Sequence, residues 1–306
     1  MKRCFLNERL KNIFLKNRDM RFIKMTGGLG NQMFIYAFYM RMKKHYSNTR
    51  IDLSDMVHYK AHNGYEMHRV FNLPPIEFRI NQPLKKVIEF LFFKKIYERK
   101  QVPSSLAPYD KKYFWPLLYF KGFYQSERFF ADMADDIRKA FTFNPRLSNR
   151  KTKEMSEQID HDENAVSIHV RRGDYLEPKY WKTTGCVCQL PYYLNAIAEM
   201  NKRISQPSYY VFSDDIAWVK ENLPLPKAFF IDWNKGAESW QDMMLMSRCR
   251  HHIICNSTFS WWGAWLNPRE NKTVIMPERW FRHCETPDIC PDKWIKVPIN
   301  QPDSIQ

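Results

Sequence analysis

Apolar and polar residues alternate along the second half of the chain in short, regular blocks. Ala165-Val-Ser-Ile-His-Val170, Tyr209-Tyr-Val-Phe212, Ala228-Phe-Phe-Ile231, His252-Ile-Ile-Cys255 and Thr273-Val-Ile-Met276 are near-continuous apolar runs. Runs of that length with β-branched and aromatic content predict buried strands. Helical patterns separate them over 191–203, 214–222, 239–249 and 258–266, with Pro191 suited to a first helical position. Strand and helix in alternation predict a parallel sheet, with ligands at the carboxyl ends of the strands. The first half opens the same way. A strand over 20–26 leads into Gly27-Gly-Leu-Gly30, and then a helix over 31–46 with Met33, Ala37 and Met40 on one face. Beyond it the pattern is looser. Strands are predicted at 51–53 and 118–123 and helices at 84–99 and 126–141, while the polar run 144–164 reads as a connection. Residues 1–19 form a basic amphipathic pattern with Leu6, Leu10, Ile13 and Phe14 on one face.

Four turns carry candidate chemistry. Gly27-Gly28-Leu29-Gly30-Asn31-Gln32 joins a strand to a helix, where bare backbone and free amides suit a phosphate. No Gly-Lys-Ser/Thr follows, and Met33 stands where a dinucleotide fingerprint has its third glycine. A plain tight turn accounts for the glycines equally well. His169-Val-Arg171-Arg172-Gly-Asp174 follows a strand, so His169 and Arg171 share one face and Arg172 the other. One guanidinium fork can then meet phosphate while its neighbour pairs with a carboxylate; a structural ion pair is the bland account. Ser213-Asp214-Asp215 precedes a helix and could hold a metal, accept from a base or ribose, or simply cap the helix. Asn256-Ser-Thr-Phe-Ser260 opens a helix with three hydroxyls, and Trp261, Trp262 and Trp265 have the spacing of core residues.

Composition narrows the class. Hydrophobic residues are 44% and charged residues 26% of 306, a globular balance, and the length suggests two domains. The net charge of +15 is uneven. Residues 1–50 carry 12 Lys or Arg against Glu8 and Asp19, and residues 85–112 carry 8 against 3 acids. Such charge favours phosphates, nucleic acid or anionic membrane. No apolar run approaches the roughly 20 residues of a membrane span, and no secretory signal is evident. Seven cysteines at irregular spacing fit reduced thiols in a cytoplasm, with Cys186, Cys188, Cys284 and Cys290 lacking a four-ligand zinc pattern.

Five segments in order, 27–34, 121–127, 169–174, 212–215 and 256–262, together resemble family 11 glycosyltransferases, the α-1,2-fucosyltransferases. The resemblance covers about residues 20–280. It implies a GT-B α/β fold of two Rossmann-like domains facing across a cleft. The division would be a 1–19 extension, an acceptor-side domain over 20–150 and a donor-binding domain over 151–306. It implies GDP-fucose as donor, a galactose-terminated glycan as acceptor, inversion at fucose C1, and neither metal nor cofactor. Arg171 matches the position that holds the β-phosphate, and His169 a donor contact. Asp214 or Asp215 matches the guanine-contacting acid, Ser257, Thr258 and Phe259 the pyrophosphate turn, and Asn31 a cleft residue near the reacting carbon. Gly28 and Gly30 belong to the donor-side loop. Glu127, Glu66 and Asp52 are the candidate general bases. The alternatives are another GDP-sugar or an RNA-binding protein. Against RNA, the basic blocks do not interleave with aromatics and no RNA-module signature occurs.

Residues 1–19 carry a net +4, from Lys2, Arg3, Arg9, Lys11, Lys16 and Arg18 against Glu8 and Asp19. They are either a peripheral anchor on the anionic inner membrane face or an inert extension. Deleting them leaves activity on a soluble acceptor intact under both readings. Under the anchor reading, the deletion also releases the protein from anionic liposomes at low salt. Equal sedimentation of the full and shortened chains with those liposomes removes the anchor.

Overall fold

The computed structural model describes residues 21–59, 62–74, 83–87, 119–283 and 288–299. The extension 1–19, Cys284 and most of the helix expected over 84–99 lie outside them; within that stretch 83–87 is helical.

The chain begins with β1 (Arg21–Lys24), the glycine loop and helix α1 (Leu29–His45). Next come β2 (Thr49–Asp52) and β3 (Tyr119–Phe120), both parallel to β1 in the order β2-β1-β3. The second half contains β4 (Ala165–Val170), α4 (Leu190–Arg203), β5 (Ser208–Ser213), α5 (Ile216–Asn222), β6 (Ala228–Ile231), α6 (Trp240–Arg248), β7 (His251–Ile253), α7 (Thr258–Leu266), β8 (Val274–Pro277) and β9 (Ile295–Val297). They make a six-stranded parallel sheet in the order β6-β5-β4-β7-β8-β9. The order reverses beside β4, which places a switch point at the end of the strand that delivers His169 and Arg171. Two parallel α/β units thus face each other, the arrangement expected from the resemblance.

Between the sheets, the chain departs from the expected elements in three places, and each has a physical cause. The helix expected over 126–141 is broken into 3₁₀ turns at Glu127–Phe129 and Ala131–Met133 before α2 (Ala134–Ala140). Phe129 and Phe130 are both fully buried. Phe130 is the joint between the two turns, with φ −148° and ψ 13°, outside the helical region. The polar run expected as a connection contains α3 (Arg150–His161), capped by the Asn149 side chain on the Thr152 amide at 2.9 Å. Only Thr152 and Ile159 of that helix are buried, so most of it is a solvated face. Strand β9 was not expected; three residues with a lysine in the middle give too little pattern.

Helix α1 is buried on nearly every side, from Leu29 through Tyr39 and at Met42, while Met40 is only half-buried. A helix buried all round has elements on more than one face. One of them is α7. Phe34 sits between Trp261 and Trp262, ring centroids 4.5 and 4.8 Å away, and the Trp262 indole N–H donates to the Gly30 carbonyl at 2.9 Å. Trp261, Trp262 and Trp265 are core residues, as their spacing predicts. Among the described residues no helix is long and apolar enough to cross a membrane. Cys186, Cys188, Cys249, Cys255 and Cys290 are unpaired.

Gly30 is the point of closest approach between α1 and α7. A Cβ there would lie 2.6 Å from the Thr258 carbonyl carbon, a backbone atom that cannot turn aside. Gly30→Ala therefore lowers stability by about 1–3 kcal/mol, the usual cost of overpacking, seen as a lower melting midpoint. An unchanged midpoint would show that the two helices can part freely.

Candidate active site

A cavity of about 580 Å³ opens between the two units, walled by the turns that follow β1, β4, β5 and β7. It gathers Gly28, Gly30, Asn31, Glu66, His169, Arg171, Asp214, Ser257, Thr258 and Phe259 from the sequence-derived candidates. Asp215, Glu127 and Asp52 are not in its wall.

Gly27 makes the first turn at φ +84°, where side chains are disfavoured, and a Cβ there would meet Asn31 at 2.9 Å. Buried Gln32 holds the loop. Its amide N–H₂ donates to the carbonyls of Gly27 at 2.8 Å and Gly64 at 2.7 Å, and its oxygen accepts from the Glu66 amide at 2.9 Å. The Asn31 side-chain oxygen accepts from Gln125 at 2.8 Å. The glycines thus answer to two constraints at once, the bend at Gly27 and the contact with α7 at Gly30.

Strand β4 ends in the charged part of the wall. Arg171 grips Asp174 with two hydrogen bonds, Nε to Oδ1 at 3.0 Å and Nη2 to Oδ2 at 2.7 Å, and its guanidinium lies 4.7 Å from the Tyr175 ring centre. Burial is the largest single influence and opposes the charge of both partners, but their mutual hydrogen bonds and the surrounding charges together outweigh it. The guanidinium is pushed above its ordinary value and the Asp174 carboxyl is held below the usual carboxylate range. Arg172 pairs with Asp215 at 3.1 Å and lies 4.1 Å from the Trp218 ring centre. Asp215 also caps α5 through the Trp218 amide at 3.1 Å. Both arginines therefore have carboxylate partners, and only the Arg171 pair lines the cavity. Asp214 does line it, its Oδ1 accepting from the Arg172 amide at 2.8 Å. Glycine at 173 makes room, because a Cβ there would stand 2.7 Å from Asp214 Oδ2.

His169 Nδ1 lies 3.2 Å from Cys255 Sγ. Burial and then the Arg171 charge push the imidazole pKa down to about 3, while burial pushes the thiol up to about 12. The ring is neutral and the thiol protonated near pH 7, and the contact between them fits either neutral tautomer of the imidazole. His169 thereby lines the cavity as an uncharged ring.

Helix α7 begins at the cavity. Ser257 is its N-cap residue but makes no side-chain capping bond, and Ser257 Oγ and Asn256 Oδ1 are buried without a partner. The Asn256 amide is fixed by the carbonyls of Thr184 at 2.9 Å and Trp280 at 3.0 Å, and Tyr175 O–H donates to the Asn256 carbonyl at 3.0 Å. Free amides, an uncommitted hydroxyl and a positive dipole end together form an anion-binding turn beside Arg171.

The three candidate bases separate by position. Asp52 is fully buried, accepting from the Ser54 amide at 2.9 Å and Tyr119 O–H at 2.8 Å, with Lys85 at 3.6 Å. Glu127 accepts from the Trp265 indole at 3.1 Å. Glu66 lines the cavity, paired with Arg69 at 2.5 Å; burial raises its pKa against the opposing pull of Arg69. The cavity also holds residues that sequence reasoning passed over: His62, Asn234, Asp174, Tyr175 and Asp242. Asp242 accepts from Asn234 at 2.8 Å, and burial raises it to about 7. Asp174 was visible within the Arg-Arg-Gly-Asp run, and His62-Asn-Gly64 carries a turn signal. Nothing local marks Asp242, which sits in an ordinary helical pattern. Among the described residues no group of three or more His, Cys, Asp or Glu is placed to hold a metal ion.

The family profile described as Glycosyl transferase family 11 matches residues 11–297. The chain belongs to this family. It is similar to the alpha-1,2-colitosyltransferase of Escherichia coli, 32% identical over 90% of this chain and 97% of that one. The O-antigen biosynthesis glycosyltransferase WbnK of the same species is 28% identical over 89% and 99%. Among solved structures, NodZ alpha-1,6-fucosyltransferase co-crystallized with GDP covers 84% of this chain and 95% of its own, at 15% identity and TM-score 0.49. In this family 11 glycosyltransferase the Arg171–Asp174 ion pair at the end of β4 shares its cavity with the unpartnered Ser257 hydroxyl at the start of α7. A charge-assisted hydrogen bond is worth roughly 1.5–3 kcal/mol, so Arg171→Ala lowers kcat/KM at least about tenfold. Arg172→Lys, outside the cavity, has a milder effect. Wild-type rates for Arg171→Ala would remove Arg171 from the reaction.

Proposed function

We propose that the enzyme transfers L-fucose from GDP-fucose to the 2-hydroxyl of a terminal galactoside, with inversion at fucose C1. The observation that carries this reading is the meeting, in one cavity, of Arg171 with the unpartnered Ser257 and the first turn of α7. When the glycosidic bond to the donor breaks, negative charge grows on the β-phosphate. A fixed guanidinium and helix amides lower that barrier without reorganising. Asp214, held by the Arg172 amide, is the acid of the pair free to accept from guanine; Asp215 is occupied by the cap and by Arg172. Asn31, tethered to Gln125, stands on the acceptor side of the cavity and orients the incoming hydroxyl. The cation that a metal would otherwise supply is already present in Arg171, and the reaction runs without one.

A second donor is favoured by a specific observation: the E. coli relative that matches over 90% of this chain is named for colitose rather than fucose. Colitose is fucose without its 3-hydroxyl, and the two differ by one polar contact in the donor site. A site that hydrogen-bonds the 3-hydroxyl rejects the deoxy sugar strongly, because its own polar group is left bare.

The test is a competition of GDP-fucose, GDP-colitose and GDP-mannose for a panel of β-galactosides in EDTA, with linkage analysis of the product. The expected product is α-1,2-linked fucose, formed equally with and without the chelator. Preferred transfer of colitose changes the donor but keeps the mechanism. Loss of all transfer in EDTA, restored by manganese, overturns metal independence.

A further inference from the structure

Inverting transfer requires a group that takes the proton of the acceptor hydroxyl. None of the three carboxylates named as candidates from the sequence is free for it. Asp52 and Glu127 lie outside the cavity, and Glu66 is committed to Arg69 and, at 3.3 Å, to Asn63. We propose that His62 is the general base of the reaction, an assignment that rests on the glycosyl transfer argued above.

The geometry begins with Gly28. A Cβ on that residue would stand 3.2, 3.3 and 3.4 Å from Cγ, Cβ and Cδ2 of His62, so the imidazole lies directly over the glycine loop. The ring faces the same cavity as Asn31 and Arg171 and is reached by water. Among the described residues no hydrogen bond or ion pair engages its nitrogens. The charged groups acting on it are Arg171 and Asp174 from the turn after β4, and Glu66 and Tyr180 line the same cavity. Burial first, then Arg171, lower its pKa below the ordinary 6.5, against a weaker opposite pull from Asp174. Near neutral pH the ring therefore holds a free lone pair.

The backbone is shaped for this placement. His62 and Asn63 have φ of +54° and +49°, followed by Gly64 at +72°. A left-handed residue other than glycine costs about 1–2 kcal/mol, and strain held at a cavity is a sign of function. Two anchors hold it: Gln32, through Gly64 and Glu66, and the Asn63 amide, donating to the Gly236 carbonyl across the cavity at 2.9 Å. In the reaction the hydroxyl proton passes to a free imidazole nitrogen as the acceptor oxygen bonds to C1. The bond from C1 to the β-phosphate oxygen breaks with its electron pair, and GDP leaves against Arg171. The imidazolium then returns its proton to water.

The experiment uses the full chain with the donor and acceptor found in the competition above, so an error in donor identity does not touch it. His62→Asn keeps a residue at home in left-handed backbone. It should lower kcat/KM about 100-fold or more, the usual contribution of a general base, with GDP affinity by calorimetry unchanged. The wild-type acid limb, set below pH 6.5 because the base must be deprotonated to act, should vanish. His62→Gly should regain rate with added imidazole. The assignment is overturned if His62→Asn keeps both the rate and the acid limb, or if GDP affinity falls in step with kcat/KM and imidazole restores nothing. A chain that transfers no sugar from any GDP donor overturns the glycosyl-transfer reading and this one together.

Discussion

The packing of α1 against α7 is the contact on which the site depends. Each helix starts at a turn that faces the cavity, the glycine loop for one and Asn256-Ser257 for the other. Aromatic packing of Phe34 on Trp261 and Trp262 supplies the adhesion, at about 0.5–1.5 kcal/mol per ring pair beyond burial. The Trp262 bond to Gly30 sets the register, since it joins the first turn of α1 to the middle of α7. Because one hydrophobic cluster contains both helices, the two units share a core at the base of the cavity. The distance between these two turns is therefore a property of that core.

Electrostatics at the site follow from burial. A buried ion pair such as Arg171 with Asp174 is weak evidence for stability, because desolvation offsets much of the attraction. Its value here is orientation. Two parallel hydrogen bonds fix the plane of the guanidinium, and the Tyr175 face covers one side of it. The cation is thus oriented before any ligand arrives.

How much of this was legible in the sequence depends on whether the signal was local. Strand β4 and helix α7 lie within the patterns that predicted them, because a buried strand and a tryptophan-rich helix each declare themselves over a few residues. So does the cap at Asp215. Helix α3 was missed because only two of its residues are buried and polarity alone resembles a loop. The break at Phe129 and Phe130 was missed because two adjacent buried rings are decided by the core around them. Within the site, Arg171 and Ser257 could be named from motifs. The separation of Glu66 from Asp52 and Glu127 could not. All three are acids in plausible segments, and what distinguishes them is which already has a tertiary partner: Tyr119 and Lys85 for Asp52, Trp265 for Glu127.

The cavity is bounded by two connections of different strength. At its base the units are joined by fully buried aromatic rings. At the other side they are joined by polar contacts, Asn63 to the Gly236 carbonyl at 2.9 Å and to Ser239 at 3.4 Å, with Arg69 on the Ala237 carbonyl. These contacts are exposed, and an exposed hydrogen bond nets only about 0.5–1.5 kcal/mol because water replaces it. Parting the aromatic base would cost several times more, about 3–5 kcal/mol for each large ring lost from its core. The Asn63 side is therefore the weaker of the two connections, and the packing of α1 on α7 the firmer. The spacing of the turns at the starts of those helices is set by the firmer one.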